Sequence, residues 1–198
     1  MNKVFDIEAA ERAMKELLWA MGEDADREGL LATPARSAKA WAEVTAGYSQ
    51  DPANVLKTSD GKDGFLDTDG FDQMVVLRNI PFWSTCEHHL LPFSGYASIG
   101  YLPSVSGLVV GLSKLARLVD VYAKRLQVQE RMTQQIAKAL QSHLKADGVG
   151  VVVRATHSCM TCRGIKKEGS EMVTEVLLGS FRDHVVRDEF WTLCKRGS

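Results

Sequence analysis

No run of about 18 apolar residues occurs in the sequence, so no membrane-spanning helix is expected. Residues 1–8 hold no apolar stretch behind a basic one, so no secretory signal is expected either. There is no Asn-x-Ser/Thr sequon. An excess of charge of one sign is also missing: 24 Lys and Arg stand against 25 Asp and Glu, a net charge of -1. That balance gives no electrostatic reason to expect nucleic acid as a partner, and there is no acidic tail. Neither glycine-rich phosphate loop, G-x-x-x-x-G-K-[ST] or G-x-G-x-x-G, is present. An anionic substrate would therefore have to be met by a local cluster of Arg and Lys. The expected compartment is the cytoplasm. Cysteine is scarce, with Cys86, Cys159, Cys162 and Cys194 only. In a reducing compartment such residues serve metal binding or chemistry more often than disulfides. Cys194, isolated near the end, is expected to be a small buried hydrophobe.

What is present supports a packed core: 45% of the 198 residues are apolar and 25% charged, ordinary for a globular domain. Ile7, Ala10, Met14, Leu17, Leu18 and Met21 recur at three- and four-residue steps and predict a helix over 6–21, capped by Asp6 and ended by Gly22. A second helix is expected from Thr33 as N-cap and Pro34 as its first helical residue, running to about Gly47. Residues 49–72 read as a loop. Asp67, Asp69 and Gly70 imitate the start of a calcium loop, but Phe71 and the missing glutamate argue against one. From residue 74 the period changes, predicting strands over 74–80, 95–102 and 108–110. Helices are expected over 113–125 and 128–145, the latter broken by Gly148, then strands over 149–156 and 172–178 and a closing helix over 184–194. Runs of strands and helices without strict alternation predict an α+β fold with an antiparallel sheet, helices packed on one face, and an N-terminal helical appendage. The expected division is a helical region, 1–48, and a main domain, 49–198.

The densest chemical signal is Thr85-Cys86-Glu87-His88-His89, with a second cluster at His157-Ser158-Cys159-Met160-Thr161-Cys162. Thiolate and imidazole are preferred zinc ligands, and a Cys and a His three residues apart can converge on one ion from a turn. Two arrangements fit. One is a closed structural site of Cys86, His89, Cys159 and Cys162. The other is an open catalytic site with three protein ligands and a water. The spare imidazoles His88 and His157 favour the open site, because a structural site has no use for them. Metal-bound water becomes a nucleophile near neutral pH, and a histidine can move the protons. Lys114 and Arg117, one helical turn apart behind Ser113 at an expected N-cap, can face one anion together. They can equally be a solvated basic face. Glu130, next to Gln129, can accept two N–H bonds from a guanine edge or simply cap a helix. His143 and His184, alone on helices, carry no expectation of function.

Taken together and in order, Ser84-Thr85-Cys86-Glu87-His88-His89, Gly100-Tyr101-Leu102-Pro103, Gly111-Leu112-Ser113-Lys114, Gln127-Val128-Gln129-Glu130-Arg131 and His157-x-Cys159-Met160-x-x-Arg163-Gly164 resemble the GTP cyclohydrolase I family, as does Thr33-Pro34-x-Arg36. The resemblance covers about residues 30–195. It implies a tunnelling fold, in which subunits pool their sheets in a ring, and a homodecamer of two pentamers with sites at subunit interfaces. It implies hydrolysis of GTP at C8 to formate and 7,8-dihydroneopterin triphosphate, with Zn2+ as cofactor. On this resemblance the metal ligands are Cys86, His89 and Cys159. His157 is the acid/base at the imidazole ring, and His88 and Ser113 serve later proton transfers. Glu130, helped by Gln129, anchors the guanine. Lys114, Arg117 and Arg163 hold the triphosphate, with Arg36 reaching in from a neighbouring subunit. The family does not require a thiol at Cys162, which is expected to be a neutral pocket residue. Two alternatives stand beside this: a non-catalytic tunnelling-fold module with a closed structural zinc site, and an enzyme that opens GTP at C8 but stops before the pterin.

Overall fold

The computed structural model describes residues 5–57, 71–104 and 108–195. Asp67, Asp69 and Gly70 lie outside the described residues. Helix α1 (Ile7–Ala20) starts as expected, with the Asp6 carboxylate accepting from the Ala9 amide at 2.9 Å. Helix α2 (Thr33–Val44) starts one residue early. Ala32 is its N-cap and no side chain caps it, so Thr33 is the first helical residue, with Pro34 buried behind it. A 3-10 turn (Ala46–Ser49) and the short α3 (Pro52–Leu56) follow.

Strand β1 (Val75–Cys86) and strand β2 (Pro92–Leu102) form a long hairpin. Helix α4 (Leu112–Ala123), the two-residue β3 (Leu126–Gln127) and helix α5 (Gln129–Leu144) come next. Strand β4 (Gly148–His157), the single turn α6 (Ser158–Thr161), strand β5 (Met172–Gly179) and helix α7 (His184–Lys195) complete the chain. The sheet order is β3-β1-β2-β4-β5. Every pairing is antiparallel except β3 on the end of β1. The result is the expected α+β class. None of the helices described is long and apolar enough to cross a membrane.

Further expectations need correction. The segment expected as a loop over 49–72 holds α3, and the strands expected over 74–80 and 95–102 are longer, β1 running on through Pro81 to Cys86 and β2 starting at Pro92. Residues 108–110 do not form a strand beyond one isolated bridge. The apolar run there serves burial instead: Val110 enters the core, and its amide donates to the Tyr101 hydroxyl at 3.1 Å. Helix α5 ends at Lys145, which adopts the left-handed conformation at φ 47°, and not at Gly148, which opens β4.

Alternation along β4 divides the core. Val149, Val151 and Val153 join Leu115, Leu118, Ile136 and Leu140 of α4 and α5 on one face. Each such side chain, fully buried, contributes roughly 1.5–3 kcal/mol relative to exposure. Val152 points the other way, to Phe181, Phe190 and the buried Cys194. So α4 and α5 cover one face as expected, and α7 covers part of the other. Gly100 and Gly150, paired across β2 and β4, make room for those rings. A Cβ on Gly150 would lie 2.5 Å from Phe181 Cδ1, and one on Gly100 2.7 Å from Phe190 Cδ2.

Overpacking of this kind costs about 1–3 kcal/mol. We expect Gly150→Ala to lower the urea midpoint accordingly, and Phe181→Leu to recover part of the loss when combined with it. A Gly150→Ala protein as stable as the parent would show that α7 does not pack as described.

Candidate metal centre and active site

Three strand ends meet at one edge of the sheet. Thr85 of β1 pairs with Pro92 of β2, and Phe93 of β2 pairs with His157 of β4. Cys86 therefore leaves β1 beside the point where β4 gives way to α6, which carries Cys159. Between β1 and β2 the chain makes a tight turn. The Leu90 amide donates to the Cys86 carbonyl and the Cys86 amide to the Leu91 carbonyl, both at 2.9 Å, while Leu90 takes φ 56°. His89 sits in that turn. The Sγ of Cys86, a ring nitrogen of His89 and the Sγ of Cys159 all lie within 4.8 Å of one another. Ligands on a tetrahedral zinc are about 3.3–3.8 Å apart, given bonds of about 2.0–2.3 Å, so these donors need only a small contraction to hold such an ion. Burial first, then the neighbouring Cys86, push the Cys159 thiol above its usual range, with Arg163 opposing. Two thiols in that position resist ionising together unless a cation sits between them. Cys162 is exposed and does not belong to the group, which removes the support for a closed four-ligand site.

His157 is held on two sides. Its ring stacks on Phe93 at 4.5 Å between centroids and 3° between planes. Its Nε2 lies 2.8 Å from Gln129 Oε1. Burial lowers its pKa, opposed by the nearby Glu130 carboxylate. Gln129 is 1% exposed, and its side-chain nitrogen is hydrogen-bonded to protein groups. Glu130 next to it is exposed and lines a cavity of about 450 Å³ with Gln134, Thr174 and Glu175.

The turn that carries His89 is anchored from behind. Arg131 of α5 grips the Glu87 carboxylate with both terminal nitrogens, and its Nε donates to Gln127 Oε1 at 3.1 Å. Gln127 in turn donates to the Tyr122 carbonyl of α4 at 3.0 Å. Arg131 holds the Glu87 carboxyl below the usual carboxylate range. Arg131 stood out in the sequence only as part of a family string, with no role of its own, and Phe93 did not stand out, because an arginine in a helix and an aromatic in a strand have many commoner uses.

The remaining residues are distributed around the centre. His88 is exposed in the same turn as His89. Ser113 is the second residue of α4 and not its N-cap; Gly111 takes that place in extended conformation without a side-chain bond. Lys114 and Arg117 line one cavity of about 540 Å³ with Gln50, Asp51, Asn54 and Lys57. Arg163 is exposed just after α6. Arg36 is exposed on α2. It lies about 12 Å along the helix, at 1.5 Å per residue, from Val44. Val44 shares a cavity with Thr85. Thus Glu130 and the pair Lys114 and Arg117 line different cavities of the protomer, and Arg36 belongs to neither.

The family model for GTP cyclohydrolase I matches residues 10–195. A GTP cyclohydrolase 1 from Dehalococcoides mccartyi is 50% identical over 191 residues, covering 96% of this chain and 97% of the relative. A GTP cyclohydrolase 1 from Streptomyces coelicolor is 52% identical over 189 residues, covering 96% and 90%. One from Corynebacterium aurimucosum is 53% identical over 181 residues, covering 91% and 89%.

The geometry of the three donors yields a test. After loading and gel filtration, the protein is expected to retain one divalent ion per chain by elemental analysis. Cys86→Ser and Cys159→Ser should lose it, and Cys162→Ser should keep it. Equal loss in Cys162→Ser would restore the four-ligand site.

Proposed function

The chain belongs to the GTP cyclohydrolase I family, and from that premise we propose that it hydrolyses GTP at C8, releases formate and forms 7,8-dihydroneopterin triphosphate. The observation that carries the proposal is the convergence of Cys86, His89 and Cys159 beside a half-buried, doubly restrained His157. The donor set suits zinc, which when bound supplies a Lewis acid and lowers the pKa of water to about 7.

The chain's own residues do the rest. His157 moves a proton at the imidazole nitrogen of the purine as water adds to C8 and the ring opens. His88 and Ser113 serve the proton transfers that follow, when the ribose rearranges and the free amine closes the new ring. Glu130 accepts from N1–H and the exocyclic amine of guanine. Adenine has no donor at N1, which makes this contact a basis for discrimination. Lys114, Arg117 and Arg163 hold the triphosphate as charge-assisted donors, a role their local clustering supports in a chain of net charge -1. The separation of Glu130 from Lys114 and Arg117 on one protomer supports a site completed by a neighbouring copy, which also brings Arg36. A homodecamer of two pentamers is the assembly we propose.

The test is to mix metal-loaded protein with GTP and follow formate release and pterin fluorescence after oxidation. Equal amounts of both are expected. General acid–base catalysis is worth about 10²–10⁴-fold, so His157→Ala should lower kcat by at least about 100-fold. Formate without pterin would move the chain to an enzyme that opens the ring and stops. Neither product from folded, metal-loaded protein would overturn the proposal.

A further inference from the structure

Gln129 opens α5 at the foot of β4 and β5, and its amide meets three acceptors at one end. Its Nε2 lies 3.0 Å from the Val153 carbonyl, 3.0 Å from the Met172 carbonyl and 3.1 Å from Thr174 Oγ1. Two of these are backbone carbonyls of neighbouring strands, which only accept. The NH2 group must therefore face them, because the flipped amide would set its oxygen against two others. The orientation of the side chain follows, and its Oε1 is the atom 2.8 Å from His157 Nε2. An amide oxygen has no hydrogen to give. The proton in that bond is therefore on His157 Nε2, in the neutral and the charged ring alike. The lone pair of the neutral ring is left on Nδ1.

The surroundings reinforce this assignment. The Thr174 hydroxyl, accepting from Gln129, can give its own hydrogen to Thr133 Oγ1 at 2.7 Å. Thr133, one turn along α5, donates to the Gln129 carbonyl at 2.7 Å. The bonds close a loop that starts and ends on Gln129, running in one direction, with Thr133 fully buried. Phe93 fixes the plane of the imidazole by stacking, and Gln129 fixes which edge points inward.

We propose that Gln129, clamped by the Val153 and Met172 carbonyls and by Thr174, is a positioning residue that holds His157 with Nε2 protonated and presents Nδ1 as its proton-carrying atom. The proposal rests on the reading of His157 as the acid/base group. It assigns Gln129 no direct contact with substrate, and it gives Thr133 and Thr174 a part in the site that their positions in the sequence do not announce.

The experiment combines a spectrum with kinetics on the intact, zinc-loaded protein. The 15N solid-state spectrum of histidine-labelled wild type, with His157 assigned by difference against His157→Asn, should show Nε2 protonated and Nδ1 bare at alkaline pH. A protonated Nδ1 with a bare Nε2 would overturn the proposal whether or not the protein turns over GTP. Gln129→Met keeps the volume of the side chain and removes its oxygen. General acid–base catalysis is worth about 10²–10⁴-fold, and a histidine free to take the wrong tautomer forfeits part of it, about 10–100-fold. We expect kcat for GTP to fall by that factor, KM and zinc content to stay unchanged, and the His157 signals to split between tautomers. A raised KM with unchanged kcat would make Gln129 a substrate contact and overturn the proposal. Thr174→Val should give a smaller loss of kcat in the same sense, restored by Thr174→Ser. If neither Thr174 variant differs from wild type, the loop of hydroxyls has no such role. Absence of GTP turnover in the wild type would remove the functional premise and leave the tautomer to be decided by the spectrum.

Discussion

The antiparallel register of β2 between β1 and β4 is the constraint on which the site depends. With Thr85 opposite Pro92 and Phe93 opposite His157, Cys86 and Cys159 are delivered to one corner from positions far apart in the chain. Neighbouring strands are about 4.8 Å apart, so two strand spacings separate β1 from β4, and the turns that end them lean in to close the gap. A slip of one residue would turn Phe93 to the opposite face and take His157 from its stacking partner. The valines of β4 make such a slip costly, because Val149, Val151 and Val153 would leave the core under α4 and α5.

Around that corner each reactive group is restrained by a neighbour that is not itself reactive. Arg131 ties the turn of Glu87 and His89 to α5, and Gln127 ties the same helix start to α4. Gln129 and Phe93 fix His157. β3 and the beginning of α5 therefore serve as a common support: Gln127 and Arg131 hold the turn of Glu87, and Gln129 holds His157. The residues proposed to bind substrate, in contrast, are mostly exposed. Glu130, Arg117 and Arg163 keep contact with solvent, as residues must that exchange water for a charged ligand.

Much of this was legible in the sequence. The Cys and His spacings singled out Cys86, His89, Cys159 and Cys162 as candidate donors, and the family resemblance narrowed them to the three that the structure brings within 4.8 Å of one another. Helical and strand periods located the main elements, and the order of the short strings carried the family resemblance. The parts that were not legible depend on three dimensions. Thr33 and Ser113 looked like N-caps, yet the chain enters α2 and α4 without a side-chain bond, so Thr33 and Ser113 fall inside the helices. Residues 108–110 had strand composition but form no more than one isolated bridge among the described residues. Gln129 looked like a polar neighbour of Glu130, and successive positions at a helix start point in different directions, one to solvent and one into the sheet. Thr133 and Thr174 are ordinary threonines until α5 is laid across β5.

The proposed chemistry requires a centre with three protein ligands of two kinds, two thiolates and one imidazole, leaving a position for water. The most direct measurement is zinc K-edge X-ray absorption on the zinc-loaded wild-type protein. Two sulfur scatterers at about 2.3 Å and two lighter ones at about 2.0–2.1 Å are expected, with only one showing imidazole multiple scattering. Three sulfur scatterers would contradict it, placing Cys162 on the metal and closing the position on which the proposed reaction depends.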